Sequence, residues 1–180
     1  MQETLPPPAV PPKLPRCHDE KNQPVLRLSD ILTPERVRLP LPGANKEELI
    51  EGLLDVLAAE GVLSSREWAR QAVLQREQTR TTGIGHGLAL PHGKTAAVED
   101  IVMAMGRTDE PVDFASVDAR PVRLVILLLS PPDRTGLHIQ ALARISRLVS
   151  AEPLRRRLLD ADSAREICDL IGQQEAQLIS

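Results

Sequence analysis

Two histidines lie where the sequence predicts the ends of secondary-structure elements, and they are the residues best placed for chemistry. His92 closes a glycine-rich run, TGIGHGLALPH, in a Pro-His-Gly turn after a strand predicted at residues 88–90. His138 lies in the first turn of a predicted helix, where free backbone N–H groups and the helix dipole attract anions. Ligands of open α/β sheets collect beyond the carboxyl ends of strands. Because neutral imidazole is a nucleophile near pH 7, these parts fit a phosphoryl group carried on a histidine nitrogen.

His138 and His86 also have ordinary structural interpretations. His138 falls within the apolar arc of its helix, where a lone histidine is usually a satisfied core residue. His86 stands between two glycines and is interpreted as a bystander. The glycine run does not predict a nucleotide site, because it contains no P-loop sequence and precedes a strand instead of opening a helix. A histidine-based metal hydrolase is the weakest hypothesis, since His86 and His92 do not form an HExxH pattern.

The elements that must position these histidines begin with a strand and two helices. Residues 35–41 predict a short edge strand, since Pro40 cannot donate a hydrogen bond to a ladder. Asn45 with Glu48 three residues later is a capping-box signal that predicts a helix over residues 47–60. Ser64 with Glu67 repeats this signal before a helix predicted over residues 65–78.

The rest of the chain continues the alternation of strands and helices. Strands are predicted at residues 87–92, 101–107 and 122–129, and helices at residues 137–150, 153–160 and 163–172. The strand at 122–129 is a continuous apolar run, which is typical of a strand covered on both faces. The element order therefore predicts an α/β sandwich, with helices on both faces of a short, mostly buried sheet.

Composition argues against several classes of function. The net charge of −3 and the pI near 5.8 argue against a nucleic-acid partner, and Trp68 and Phe114 are too few aromatics for a base-stacking surface. The longest apolar run, residues 124–129, is far short of the ~20 residues that span a bilayer. Cys17 and Cys168 have no CxxC spacing, so neither a disulfide scaffold nor a zinc knuckle is predicted. We therefore expect a soluble cytoplasmic protein that needs no metal.

The amino-terminal segment differs from the rest of the chain in composition. Seven of the sixteen prolines fall within the first 24 residues, and such a segment prefers extended polyproline II. Residues 1–24 are therefore predicted to be a flexible tail, either an inert arm or a docking peptide. Residues 25–175 are predicted to form one domain.

The run TGIGHGLALPHGK resembles the signature around the phosphorylated histidine of type-2 enzyme IIA domains of the bacterial phosphoenolpyruvate phosphotransferase system. That family includes fructose- and mannitol-type domains and a nitrogen-regulatory version, which is the most similar. The resemblance extends from about residue 28 to residue 171 and includes LQREQTRTTGIG and LHIQALARIS. It implies a mixed sheet of about five strands flanked by helices on both faces.

The resemblance also implies roles for particular residues. His92 matches the histidine that accepts a phosphoryl group at Nε2 from the small phosphocarrier protein HPr. His138 matches the second active-site histidine, which orients or hydrogen-bonds the phosphohistidine. Arg76 matches a cation that contacts the phosphoryl group, and Thr82 is a candidate for supporting contacts. No cofactor and no metal are implied.

Some residues near the signature have more than one interpretation. Thr81 stands where serine is common and keeps a hydroxyl group. Lys94 is either a solvated loop charge or part of the rim that faces HPr. Leu88, Leu90 and Pro91 are either part of an apolar docking rim or part of the core.

The leading hypothesis is a phosphoryl relay, in which His92 attacks phospho-HPr and the group then moves to an enzyme IIB partner or stays as a regulatory mark. Because neither a permease nor a IIB domain is recognised in the chain, a nitrogen-type regulator is favoured over a dedicated sugar transporter. The alternative is a non-catalytic binding or sensor module that regulates partner proteins by docking.

Overall fold

The computed structural model describes residues 26–179 of the chain. The predicted tail at residues 1–24 lies outside the described residues, together with Cys17. The helices are α1 (Leu28–Ile31), α2 (Lys46–Ala59), α3 (Arg66–Thr79), α4 (Thr135–Ser150), α5 (Glu152–Asp160) and α6 (Ala164–Ile179). The strands are β1 (Val37–Arg38), β2 (Gly83–Gly85), β3 (Leu88–Ala89), β4 (His92–Lys94), β5 (Val102–Val112) and β6 (Val122–Ser130).

Within the described range the strands form one mixed sheet of six strands, where five were expected. The order is β1-β5-β6-β3-β2, and β4 also pairs with β6. Residues 87–92, predicted as one strand, divide into β3 and β4 because Pro91 has no backbone N–H and interrupts the pairing. Both pieces pair in parallel with β6, Leu88 opposite Leu124 and His92 opposite Leu128. His92 therefore begins a strand and does not lie in the predicted turn.

Alternation along β6 builds a core on each side of the sheet, since successive side chains of a strand point to opposite faces. Its residues 124, 126 and 128 pack with α4, α5 and α6, whereas residues 125, 127 and 129 pack with α2 and α3. The predicted arrangement of helices on both faces is confirmed. Of the edge strand predicted at residues 35–41, only Val37–Arg38 forms β1, which pairs in parallel with β5 at one edge, and the segment begins instead as a 3₁₀ helix at Pro34–Arg36.

The start of α2 follows the predicted capping box. The Asn45 side chain accepts a hydrogen bond from the backbone N–H of Glu48 at 3.0 Å. The Glu48 carboxylate in turn accepts from the backbone N–H of Ala44 at 2.8 Å. These bonds satisfy N–H groups that have no partner inside the helix.

The start of α3 is capped by Ser65, whereas the sequence predicts Ser64. The Ser65 hydroxyl accepts from the backbone N–H of Trp68 at 3.3 Å. Ser64 is engaged elsewhere, because its backbone N–H and its hydroxyl both donate to the carbonyl of Ala97, at 2.8 and 3.1 Å. A tertiary contact has therefore moved the helix start by one residue.

Close packing of β4 against α3 places the β4 strand beside the end of that helix. A Cβ atom on Gly93 would lie 3.1 Å from the backbone of Ala72 and of Val73. Because these neighbours are backbone atoms, relief requires the helix itself to move. Gly93 therefore lets α3 approach the strand that carries His92.

We expect Gly93→Ala to lower the free energy of unfolding by about 1–3 kcal/mol, the usual cost of an overpacked contact. Urea denaturation would measure the loss. Gly136→Ala is the matched control, because apart from its chain neighbours and the backbone of its own helix no heavy atom lies within 4 Å of a Cβ at that position. Equal stability of the two variants would contradict this account of the β4–α3 contact.

Candidate active site

His92 is held at the start of β4 with one ring nitrogen bound and the other available. Its Nδ1 donates a hydrogen bond to the carbonyl oxygen of Leu90 at 2.8 Å. A carbonyl oxygen can only accept, so Nδ1 carries the proton and Nε2 of the neutral ring carries the lone pair. Burial lowers the pKa of His92, and the charge of Arg76 lowers it further against the opposing effect of the Leu90 carbonyl. Near neutral pH the ring is therefore a neutral imidazole with a nucleophilic Nε2.

His138 is distant from His92 in the sequence but lies next to it at the end of the sheet. It lies in the first turn of α4 and is 5% exposed. The two ring centroids are 5.6 Å apart, and the ring planes are inclined by 53°. The Nδ1 of His138 is 2.7 Å from the hydroxyl oxygen of Ser130. Burial lowers the pKa of His138 to about 4, helped by the charge that His92 carries when protonated and by the charge of Lys94, so this ring is also neutral at pH 7.

The depressed pKa values predict that the protein loses stability in mild acid. The unfolded chain binds protons at its histidines near pH 6.5, whereas His92 and His138 in the folded state bind them only at a lower pH. The free energy of unfolding should therefore fall as the pH drops from about 6.5 towards 4, by at most about 3–4 kcal/mol from His138, at 1.4 kcal/mol per unit of pKa. Urea denaturation at a series of pH values would measure the slope. His138→Gln should flatten it, and an unchanged slope in that variant would contradict the assignment.

Arg76 and Arg80 place two cations in the same cleft as His92. The cleft has a volume of about 250 Å³ and is lined by both arginines, His92 and Thr82 among other residues. Arg76 lies in the last turn of α3, and its Nη1 donates to the carbonyl oxygen of Arg80 at 3.0 Å. Arg80 was not singled out from the sequence. No local pattern marks it, because Arg80 follows the end of α3 in extended backbone, and the fold brings it to the cleft.

Thr82 lies in the wall of the cleft, but its hydroxyl proton is already used. The side chain donates to a carboxylate oxygen of Glu77 at 2.5 Å, and the backbone N–H of Thr82 donates to the same oxygen at 2.9 Å. Glu77 is 5% exposed and pairs with Lys46 at 3.4 Å. Sequence reasoning missed Glu77. The sequence does carry a signal for it. Glu77 continues the four-residue spacing of Ala69 and Val73, so its carboxylate lies on the buried face of α3.

Two other residues from the signature lie around the site. Lys94 is exposed at the end of β4, where its Nζ donates to the hydroxyl of Thr135 at 2.9 Å. His86 lies in the β2–β3 turn with a φ of 56°, and its backbone N–H donates to the carboxylate of Asp118 at 2.8 Å. His86 does not line the cleft, which agrees with its interpretation as a bystander.

Of the apolar residues considered from the sequence, Leu90 alone lines the cleft, and it does so as a buried residue. Leu88 and Leu90 are each 4% exposed, and Pro91 is also buried, so these three belong to the core. The exposed apolar side chains in the lining are Ile84, 37% exposed, and Val117, 63% exposed. The β2–β3 hairpin and the β5–β6 connection contribute them, and only the tertiary structure brings these two segments together.

Residues 26–179 hold neither a metal-binding cluster nor a membrane-spanning helix. This part of the chain has no group of three or more histidine, cysteine, aspartate or glutamate side chains arranged to hold a metal ion. Its helices include none that is long and apolar enough to cross a bilayer. Cys168 is partly buried on α6 and packs against the core, and burial raises the pKa of its thiol to about 11.

Comparison with known proteins decides the family. The sequence profile described as "Phosphoenolpyruvate-dependent sugar phosphotransferase system, EIIA 2" matches residues 30–174. The chain belongs to this family. The resemblance carried by the glycine–proline–histidine signature is thereby confirmed, and the chain is an EIIA-type component of a phosphotransferase system.

Relatives of this EIIA domain include sugar-specific and regulatory proteins. A "PTS system fructose-specific EIIA component" from Haloferax volcanii is 36% identical over 149 residues, covering 83% of this chain and 97% of that protein. A "Nitrogen regulatory protein" from Bradyrhizobium diazoefficiens is 35% identical over 145 residues, covering 81% and 94%. The "PTS system fructose-specific EIIABC component" of Bacillus subtilis is 35% identical over 150 residues, which make up 83% of this chain and 24% of that longer protein.

Solved structures have the same fold as this EIIA domain. The crystal structure of nitrogen regulatory protein IIA-Ntr from Neisseria meningitidis superposes with a TM-score of 0.74 at 32% identity, covering 79% of this chain and 97% of that one. Enzyme IIA for mannitol from Escherichia coli, in complex with phosphorylated enzyme IIB, gives a TM-score of 0.68 at 27% identity, with the same coverage. The predicted α/β fold, a mixed sheet between helices, is confirmed.

Proposed function

We propose that this chain is a phosphoryl carrier, in which Nε2 of His92 accepts a phosphoryl group from a phosphorylated HPr-like protein. The observation that carries this proposal is the hydrogen bond from His92 Nδ1 to the Leu90 carbonyl. That bond leaves the lone pair on the other ring nitrogen, so the nucleophile is ready without a general base. Family membership supports the same role.

The proposed step is an in-line displacement at phosphorus. The Nε2 lone pair of His92 forms the new N–P bond while the N–P bond to the donor histidine breaks, and the donor imidazole leaves with that electron pair. No proton has to move before the attack. Such a transfer depends on positioning and on stabilising charge that is spread over the phosphoryl oxygens.

The surroundings of His92 match that requirement. Arg76 and Arg80 supply cationic N–H donors in the cleft, and His138 adds an imidazole at a ring-centroid distance of 5.6 Å. Preorganised donors of this kind stabilise developing charge strongly. Thr82 supports the site without contacting the phosphoryl group through its hydroxyl proton. That proton is donated to Glu77, and the hydrogen bond holds the cleft wall in place.

Intact-mass measurement tests the proposal directly. The protein is incubated with phosphoenolpyruvate, enzyme I and HPr, and we expect it to gain one acid-labile phosphoryl group. His86→Gln is the matched control and should gain the same group, since His86 lies outside the cleft lining. Absence of any gain in the wild-type protein, with HPr itself phosphorylated, would instead favour a binding or sensor module that acts by docking.

The destination of the phosphoryl group is the second part of the proposal. Transfer to an enzyme IIB partner is supported by the structural similarity to enzyme IIA for mannitol, solved with phosphorylated enzyme IIB. A regulatory mark is supported by the nitrogen regulatory proteins that this chain matches over most of their length. Both roles place the protein in the cytoplasm, with its carrier partners. Adding a fructose-type IIB domain to the phosphorylated protein distinguishes the transport role from the regulatory role. Only a transport component should transfer its phosphoryl group rapidly to that domain.

A further inference from the structure

Ser130 lies behind the second histidine, at the carboxyl end of β6. The residue is fully buried, and its backbone carbonyl accepts a hydrogen bond from the backbone N–H of Thr95 at 2.9 Å. Its hydroxyl oxygen is 2.7 Å from Nδ1 of His138. Within residues 26–179 this ring nitrogen is the hydroxyl's one hydrogen-bond partner.

The direction of this hydrogen bond follows from burial. A buried hydroxyl proton without an acceptor costs free energy, so nearly all such protons are bound. The acceptor within reach is Nδ1 of His138, and that nitrogen can accept only if it carries a lone pair. The neutral ring must then carry its proton on Nε2. Because the pKa of His138 is lowered to about 4, the ring is neutral under ordinary conditions.

We infer that Ser130 is a positioning residue, which holds His138 in the tautomer with a protonated Nε2. The inference deepens the proposed function and rests on it for its catalytic meaning. The His92 ring is in the opposite tautomer, with its proton on Nδ1 and its lone pair on Nε2. The site therefore combines one imidazole that attacks phosphorus with a second that donates a hydrogen bond.

The two tautomers divide the roles of the histidines. A protonated Nε2 on His138 has no lone pair, so this nitrogen cannot compete with His92 for the phosphoryl group. After transfer, the same N–H is a neutral donor for a phosphoryl oxygen. In the other tautomer, the Nε2 lone pair of His138 would repel that oxygen. Lys94 and Arg76 supply the positive charges at the site, so His138 need not be charged itself.

Nitrogen NMR of the unphosphorylated full-length protein tests the tautomers without any transfer. Long-range correlation of ring protons with ¹⁵N should show a protonated Nε2 and an unprotonated Nδ1 for His138, and the reverse for His92. In Ser130→Ala, the His138 signals should move towards an average of both tautomers. A protonated Nδ1 on His138 in the wild-type protein, or an unchanged pattern in Ser130→Ala, would overturn the inference.

Transfer kinetics test the catalytic meaning. We expect Ser130→Ala to slow phosphoryl transfer from phospho-HPr about threefold to tenfold, the range set by losing one hydrogen bond. Ser130→Thr keeps the hydroxyl and should restore both the tautomer and the rate. Ser150→Ala removes an exposed hydroxyl at the end of α4 and is the control that should change neither.

The outcomes separate the two proposals. If the wild-type protein accepts no phosphoryl group while His138 shows the expected tautomer, the proposed function fails and the positioning by Ser130 stands. If Ser130→Ala changes the tautomer but transfers at the wild-type rate, the catalytic meaning of Ser130 is wrong. Near-equal urea midpoints of Ser130→Ala and the wild-type protein would show that a slower rate does not come from unfolding.

Discussion

Replacement of His92 by glutamine is expected to abolish phosphoryl acceptance. Glutamine has a similar reach and can hydrogen-bond, but its amide nitrogen has no nucleophilic lone pair. The Nε2 lone pair of His92 is the one that the Leu90 carbonyl leaves free in the cleft. Intact mass after incubation with phosphoenolpyruvate, enzyme I and HPr should therefore show no added phosphoryl group.

The matched variant for this experiment is His138→Gln, which removes the neighbouring ring. We expect it to accept the phosphoryl group on His92, but about a hundredfold more slowly, the scale on which one preorganised hydrogen-bond donor contributes. Far-ultraviolet circular dichroism of both variants should match the wild-type spectrum. Undiminished acceptance by His92→Gln would exclude His92 as the carrier, and a wild-type rate in His138→Gln would exclude a role for the second ring.

Replacement of Arg76 by glutamine is expected to slow transfer by about 10²–10³-fold, the usual effect of removing one preorganised donor from a charged transition state. Arg76 lies partly buried in the cleft, and its charge already influences the pKa of His92. Stability should change little, since the side chain's described hydrogen bond is to the exposed Arg80 carbonyl. Quenched-flow transfer from phospho-HPr would measure the rate.

Two comparisons make the Arg76 result specific. Arg80→Gln removes a cation from the same cleft, but from an exposed side chain, so its effect should be smaller and should weaken more with added salt. Arg76→Lys keeps the charge without the planar donors and should recover part of the rate. Equal losses in Arg76→Gln and Arg80→Gln would mean that the cleft needs net charge and not the particular position of Arg76.

The elements of this fold could be predicted from sequence because their signals are local. The apolar repeat of α2 and its Asn45 cap, and the unbroken apolar run of β6, depend on residues within a few positions of one another. The boundaries depended on contacts from elsewhere. The carbonyl of Ala97 holds Ser64 so that Ser65 caps α3, and α6 continues past Gly172, which was predicted to end it.

The candidate site shows the same division. Sequence alone pointed to His92 and His138 through the glycine–proline–histidine run and the position of each at an element end, and it determined the family. The tertiary structure alone decided which nitrogen of each ring carries the proton, because that depends on the Leu90 carbonyl and the Ser130 hydroxyl. Ser130 and His138 meet across the β6–α4 connection, and a hydrogen bond's direction is set by distance and burial, which no local pattern of residue types records.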